Sequence, residues 1–278
     1  MTFGDRLDAI AATRGRFCVG IDPHPELLTA WGLPDDAAGL DRFAGSVVDA
    51  LGERIAVLKP QSAFFERHGS RGIAVLERTI ADARSAGALV LLDAKRGDIG
   101  STMQAYADAY ADPRSPLQAD AVTATPYLGF ESLRPLLDAA ARHGTGVFVV
   151  TLTSNPEGAE VQRAVPPEHG GAATVAGAIL DRIRAENAAS GAGTVGAVIG
   201  ATVGDVPADP DVGGPLLAPG LGAQGGTPAE LRKVFGAALR QVLPSSSRQI
   251  LAAGPDRHGL QHAAAAAVES CRLLLESA

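Results

Sequence analysis

The stretch LLDAKRGDIGST, residues 91–102, sets Asp93, Lys95 and Asp98 within six positions at the end of an apolar run. In an extended chain, side chains two residues apart point to the same side. A carboxylate and an ammonium so placed keep each other ionised and fix the cation's position. Such a cation can stabilise developing negative charge and, being a lysine, can also hand over a proton. Most charged clusters are solvated turns. Two observations weigh against that here. Asp93 is attached directly to LVLL, and the chain has only three lysines, Lys59, Lys95 and Lys233, among 24 basic residues. Where a positive, solvated side chain suffices, this chain uses arginine, so a retained lysine points to a role arginine cannot fill. Lys233, in PAELRKVFGAAL, has the setting of a helix surface, whereas Lys59, in VLKPQSAFFE, and Lys95 each follow a short apolar run. Pro60 predicts an extended backbone at Lys59, so its side chain can project at a strand end.

The elements that must position these residues are legible as apolar runs. They are RFCVGI (16–21), RIAVLK (54–59), ALVLLD (88–93), DAVTAT (120–125), GVFVVTL (146–152), VGAVIG (195–200), PLLAP (215–219) and RQVLP (240–244). Near-continuous apolar strings predict parallel strands buried on both faces. Ala-rich amphipathic segments such as 71–87 and 173–189 lie between them. Eight such units predict an α/β fold, a single (β/α)8 TIM barrel domain over residues 1–278 with its site at the C-terminal strand ends. A doubly wound sheet is the competitor, but no GxGxxG follows the first run. In a barrel, Asp22, Lys59, Asp93 with Lys95, Thr153 and Ser154, Gln224 and Arg248 all follow strands and share one mouth. Asp22, in GIDPHPE, reads equally well as an Asp-Pro turn opener. The segment APGLGAQGGTPAEL (218–231) combines a Gly-rich loop with a Thr227 N-cap and Pro228 at the first helical position, and PSSSR (244–248) adds hydroxyls and a guanidinium. Together they predict a phosphate site after the seventh and eighth strands.

Composition narrows the partners. A net charge of −7 gives no general attraction for nucleic acid or an anionic membrane. Cys18 and Cys271 show no CxxC spacing and read as reduced core thiols. The N-terminus has no apolar signal core, and no run reaches the roughly 18 apolar residues of a membrane span, which predicts a cytoplasmic protein. The six histidines show no HxH or HExxH spacing, so no metal ligand set is expected.

The order GIDPHPE, VLKPQSAFFE, LLDAKRGDIGST, TLTSNPEG, APGLGAQGG, SSSR resembles the orotidine 5′-phosphate decarboxylase family, in the form of its longer bacterial branch. The resemblance implies conversion of orotidine 5′-phosphate to UMP and CO2 without metal or organic cofactor. It implies a charged tetrad of Lys59, Asp93, Lys95 and Asp98, with Lys95 as proton donor to C6. It further implies Asp22 at the ribose, Ser154 at the pyrimidine, Gln224 on a phosphate-side closing loop, and Arg248 at the phosphate. A homodimer is implied, with Asp98 and Thr102 reaching into the neighbouring subunit's site. SSSRQI departs from the Gly-Arg pattern of shorter members, which bears on Arg248. The alternatives are a Mg-dependent sugar-phosphate decarboxylase or lyase on the same barrel, a Schiff-base aldolase, and a non-catalytic nucleotide-phosphate binding protein. The aspartates beside the lysines disfavour the aldolase, since they keep the amine protonated.

Overall fold

The computed structural model describes residues 1–166, 173–191, 193–222 and 225–275. Eight parallel strands close into a barrel in chain order: β1 (Cys18–Ile21), β2 (Val57–Pro60), β3 (Leu89–Arg96), β4 (Ala121–Ala124), β5 (Gly146–Leu152), β6 (Val195–Ile199), β7 (Leu216–Pro219) and β8 (Val242–Ser246). Closure is made by β8 on β1, where Cys18 pairs with Ser245 and Val19 with Ser246. Among the described residues, helices follow every strand except β6. The (β/α)8 expectation is therefore met with one departure, the helix-free link 200–215. Its prolines and glycines explain that departure, since neither continues a helix. Among the described residues, no helix is long and apolar enough to cross a membrane.

The period of two along each strand sorts the side chains. Val57, Leu91 and Ala121 belong to the cluster inside the barrel, with Phe148, Leu217 and Leu243. Leu58, Leu92 and Val122, one residue on, pack against the surrounding helices. The next inward positions are therefore Lys59, Asp93 and Thr123, one layer nearer the mouth. The opposite end of the barrel is plugged by the helix Phe3–Arg14, started by a reciprocal Thr2–Asp5 capping box. Its Phe3 and Leu7 are fully buried in the interior cluster, and the Phe3 ring meets Phe148 edge-on at 5.7 Å. This helix seals the end remote from the chemistry. Both cysteines are buried and free, and burial pushes the Cys18 thiol up to about 12.

Two strands continue two or more residues past the ends of their apolar runs. The eighth strand extends to Ser246, because the serines of PSSSR complete the ladder that closes the barrel. Pairing, not hydropathy, selects them. The third strand continues through the charged residues to Arg96, which pairs with Ala124 beyond a register shift. Lys95 is thus a strand residue instead of the first residue of a loop.

The helix-free link is pinned by side chains instead. Buried Asn187, on the helix Val175–Ser190, donates to the carbonyls of Val195 and Val212 at 2.7 and 2.8 Å and accepts from Val195 N–H at 3.1 Å. Arg184 adds bonds to the carbonyls of Asp209 and Asp211 at 2.7 and 2.9 Å. Replacing Asn187 with leucine strands three buried backbone groups, each of which costs about 1–3 kcal/mol. Asn187→Leu is expected to lower the unfolding free energy by at least about 2 kcal/mol in urea titration; a loss within 0.5 kcal/mol, roughly the surface-mutation range, would contradict this role.

Candidate active site

At the C-terminal mouth, a single carboxylate collects donors from three strands. Asp93 Oδ2 lies 3.1 Å from Lys59 Nζ and accepts from Gln61 Nε2 at 2.9 Å. Asp93 Oδ1 accepts from Lys95 Nζ at 2.6 Å and from the Thr123 hydroxyl at 2.8 Å. Lys59 Nζ also faces Asp22 Oδ1 at 3.8 Å. Two carboxylates and two ammonium groups thus alternate across the mouth. Burial by itself would raise the Asp93 carboxyl. The Lys59 and Lys95 charges and the Thr123 hydroxyl outweigh it and hold the group well below the usual carboxylate range. For Lys59 burial works against the charge, and Asp22 and Asp93 overcome it, so its ammonium is held above the ordinary lysine value.

The two lysines differ in access. The Lys59 side chain is 7% exposed and forms part of the floor, whereas the Lys95 side chain is 47% exposed. Lys59 borders the adjoining cavity from its floor, whereas the Lys95 ammonium stands at the open surface of the site. Its backbone carries a cost. Lys95 has φ +49, the only non-glycine residue with positive φ among the described residues. For an L-residue the left-handed region costs roughly 1–2 kcal/mol. The extended geometry read from the sequence is therefore corrected: the Asp93–Lys95 pair forms across a kinked strand. Leu92 pairs with Val122 and Arg96 with Ala124, so β3 uses extra residues against β4 at this point. Adjacent Arg96 turns away from the pair, meets Glu66, and lies over the Tyr106 ring at 5.8 Å.

Beside the charged set is a cavity of about 470 Å³, bounded by Asp22, Lys59, Gln61, Gly220, Ser247 and Arg248. Two of its buried polar atoms, Asp22 Oδ1 and Ser247 Oγ, have no hydrogen-bond partner. They flank Gly20, where a Cβ would stand 2.8 Å from Ser247 Cβ and 3.0 Å from Asp22 Oδ2. Only glycine lets β1 bring them this close. Arg248 is exposed at the start of the short helix Arg248–Leu251, two residues past the eighth strand. The Gly-rich loop leads into the helix Pro228–Phe235 through the expected Thr227 cap, reciprocated by Glu230.

The remaining sequence candidates do not join this cluster within the chain. Asp98 accepts from the backbone N–H of Ile99 at 2.8 Å, and Thr102 is exposed on the helix Gly100–Ala111. Ser154 is exposed after β5. Gln224 lies outside the described residues. Among the described residues, no three His, Cys, Asp or Glu side chains converge as a metal-ligand set. Sequence reasoning missed Gln61 and Thr123. Gln61 stands two residues beyond Lys59, and Thr123 is a hydroxyl inside an apolar run, two residues beyond an inward alanine; period-two counting marks both.

Comparison with known proteins identifies the family. Residues 15–263 match the model of the orotidine 5′-phosphate decarboxylase / HUMPS family. The chain is 60% identical over 276 residues to the orotidine 5′-phosphate decarboxylase of Salinispora arenicola, covering 99% of this chain and 98% of that one. It is 57% identical over 264 residues to the Streptomyces coelicolor enzyme of the same name, covering 94% of each. A crystal structure of a Streptomyces avermitilis protein assigned as orotidine 5′-phosphate decarboxylase superposes with a TM-score of 0.95 at 56% identity, covering 99% of this chain and 96% of that one. A barrel whose third strand delivers an aspartate-held lysine to the mouth, matched along nearly its whole length, places this chain in the orotidine 5′-phosphate decarboxylase / HUMPS family.

Proposed function

We propose that this protein decarboxylates orotidine 5′-phosphate to UMP and CO2, the last step of de novo UMP synthesis, with Lys95 as the proton donor. The observation that carries the reading is the half-exposed Lys95 ammonium held 2.6 Å from a carboxylate that Lys59 and Thr123 also hold. In the reaction the bond from C6 to the carboxylate carbon breaks and CO2 leaves. The electron pair stays on C6, in an orbital the ring cannot delocalise. Lys95 Nζ passes a proton to C6 and then recovers one from water, so one proton is consumed per turnover. A preorganised ammonium stabilises the developing charge because it is already in place and poorly screened. Arginine could not act as the donor, since its pKa exceeds about 12.

Asp22, with a buried oxygen lacking a partner, suits a ribose hydroxyl, and Arg248 across the cavity suits the phosphate. Gln224 would close over the phosphate and Ser154 would meet the pyrimidine. Phosphate contacts remote from C6 can drive closure and orientation. Asp98 and Thr102 would complete the site of a partner subunit. In support, Ile99 between them is 62% exposed. Gly97 packs so closely on Thr125 that a Cβ would stand 2.2 Å from its carbonyl, which sets exposed Tyr127 and Leu128 on an adjoining segment. Large apolar side chains so placed suit a subunit contact.

With EDTA present, the purified protein is expected to consume orotidine 5′-phosphate in a spectrophotometric assay, and Lys95→Ala to lose at least about 10⁴-fold in kcat. Loss of wild-type turnover on chelation would favour the Mg-dependent alternative, and absence of turnover with retained UMP binding the non-catalytic one. Arg248→Ala is expected to lower kcat/KM about a hundredfold with the thermal midpoint unchanged; an unaltered kcat/KM removes it from the phosphate site. Mixed Lys95→Ala and Asp98→Ala subunits should regain about a quarter of wild-type activity, since random pairing in a two-fold dimer leaves one site in four intact. No recovery despite demonstrated exchange rules out Asp98 acting in the partner's site.

A further inference from the structure

The kinked backbone at Lys95 poses a problem that the lysine's own ion pair does not solve. At the register shift between Leu92 and Arg96 the β3–β4 ladder is interrupted, so the Lys95 N–H needs an acceptor outside the regular backbone pattern. The Thr123 hydroxyl supplies it, accepting from Lys95 N–H at 2.9 Å while donating to Asp93 Oδ1 at 2.8 Å. Thr123 is 1% exposed and reaches the site only through these two bonds. One oxygen therefore ties the backbone of the proposed proton donor to the carboxylate that holds its ammonium. A valine there has the same shape but can satisfy neither group. Serine keeps the oxygen and omits only a methyl.

We propose that Thr123 is a positioning residue for Lys95: its hydroxyl holds the left-handed kink of β3 and, through Asp93, the place of the ammonium before substrate arrives. This rests on the proposed decarboxylation. The same hydroxyl can serve both groups at once. Because Thr123 Oγ1 gives its one hydrogen to Asp93, its lone pairs remain for the Lys95 amide, and the carboxylate keeps an acceptor site for Lys95 Nζ. Thr123 does not line the cavity, so removing its hydroxyl should leave binding of substrate largely intact while displacing the donor. Misplacement of a reacting group by about 1 Å can cost on the order of 10²-fold in rate.

The test uses the full chain with Thr123→Val and Thr123→Ser, each characterised by steady-state kinetics and by a crystal structure. Thr123→Val is expected to lose about a hundredfold in kcat, with KM changed far less, and Thr123→Ser to keep most of the wild-type kcat. In the Thr123→Val crystal, Lys95 should leave the positive-φ region or its Nζ should part from Asp93. Wild-type kcat in Thr123→Val, equal impairment of the two variants, or an unchanged Lys95 backbone and ion pair would each overturn the proposal. Should the valine variant fail to fold, Thr123→Cys, with a thiol that is a weak hydrogen-bonding group, takes its place, and wild-type kcat there is likewise decisive against it. If the wild type does not turn over orotidine 5′-phosphate, the reaction assignment falls, while the crystal structures still decide what holds Lys95.

Discussion

An ionised carboxylate taken out of water must be neutralised and hydrogen-bonded, and the mouth of this barrel is organised around that requirement at Asp93. Its two oxygens meet Lys59, Gln61, Lys95 and Thr123, drawn from β2, the residue just past it, β3 and β4. Each partner is in turn placed by its strand. Removing a lysine takes away charge that compensates Asp93, and removing Gln61 or Thr123 leaves one of its oxygens short of a donor, so the members depend on one another. The consequence for chemistry is that the two ammonium groups are ordered by the protein itself. No bound group has to organise them.

The barrel makes this arrangement possible through its period of two. Lys59, Asp93 and Thr123 stand one inward layer above Val57, Leu91 and Ala121, so a dry floor lies directly beneath the charges. That floor is sealed from below by Phe3 and Leu7 of the N-terminal helix. Poor screening from beneath strengthens the ion pairs, and Lys95 is the more exposed of the two lysines. The alternation also leaves the set of Asp22, Lys59, Asp93 and Lys95 formally neutral. Glycine is needed where the backbone closes on this set: at Gly20, between Asp22 and Ser247, and at Gly97, against the Thr125 carbonyl.

Much of the fold was legible because buried parallel strands leave near-continuous apolar runs, and the runs at 146–152 and 215–219 mark β5 and β7 closely. The eighth strand was misplaced because Ser245 and Ser246 are in the barrel through pairing with β1 and not through hydropathy. The missing helix after β6 reflects proline and glycine in 200–215, and its substitute, the Asn187 side chain, carries no local signal. At the site, the scarcity of lysine marks Lys59 and Lys95, which the fold brings together on Asp93. A threonine in a strand is ordinary: counting by twos from Ala121 marks Thr123 as inward, but only its partners across the ladder show what it holds.

Local chemistry was therefore written in residue types: a lysine between aspartates, an Asp-Pro turn, a capped helix after a Gly-rich loop. These follow from composition and spacing along one chain, and they determine which groups are available and which strands carry them. What the tertiary structure decided is how those groups meet. Closure of eight strands brings positions 22, 59, 93 and 123 within ion-pair and hydrogen-bond reach, although they are dozens of residues apart. A register shift between two strands turns Lys95 into the left-handed region and makes a hydroxyl on the next strand its anchor. Such a shift depends on the pairing of two segments at once, and no single segment encodes it.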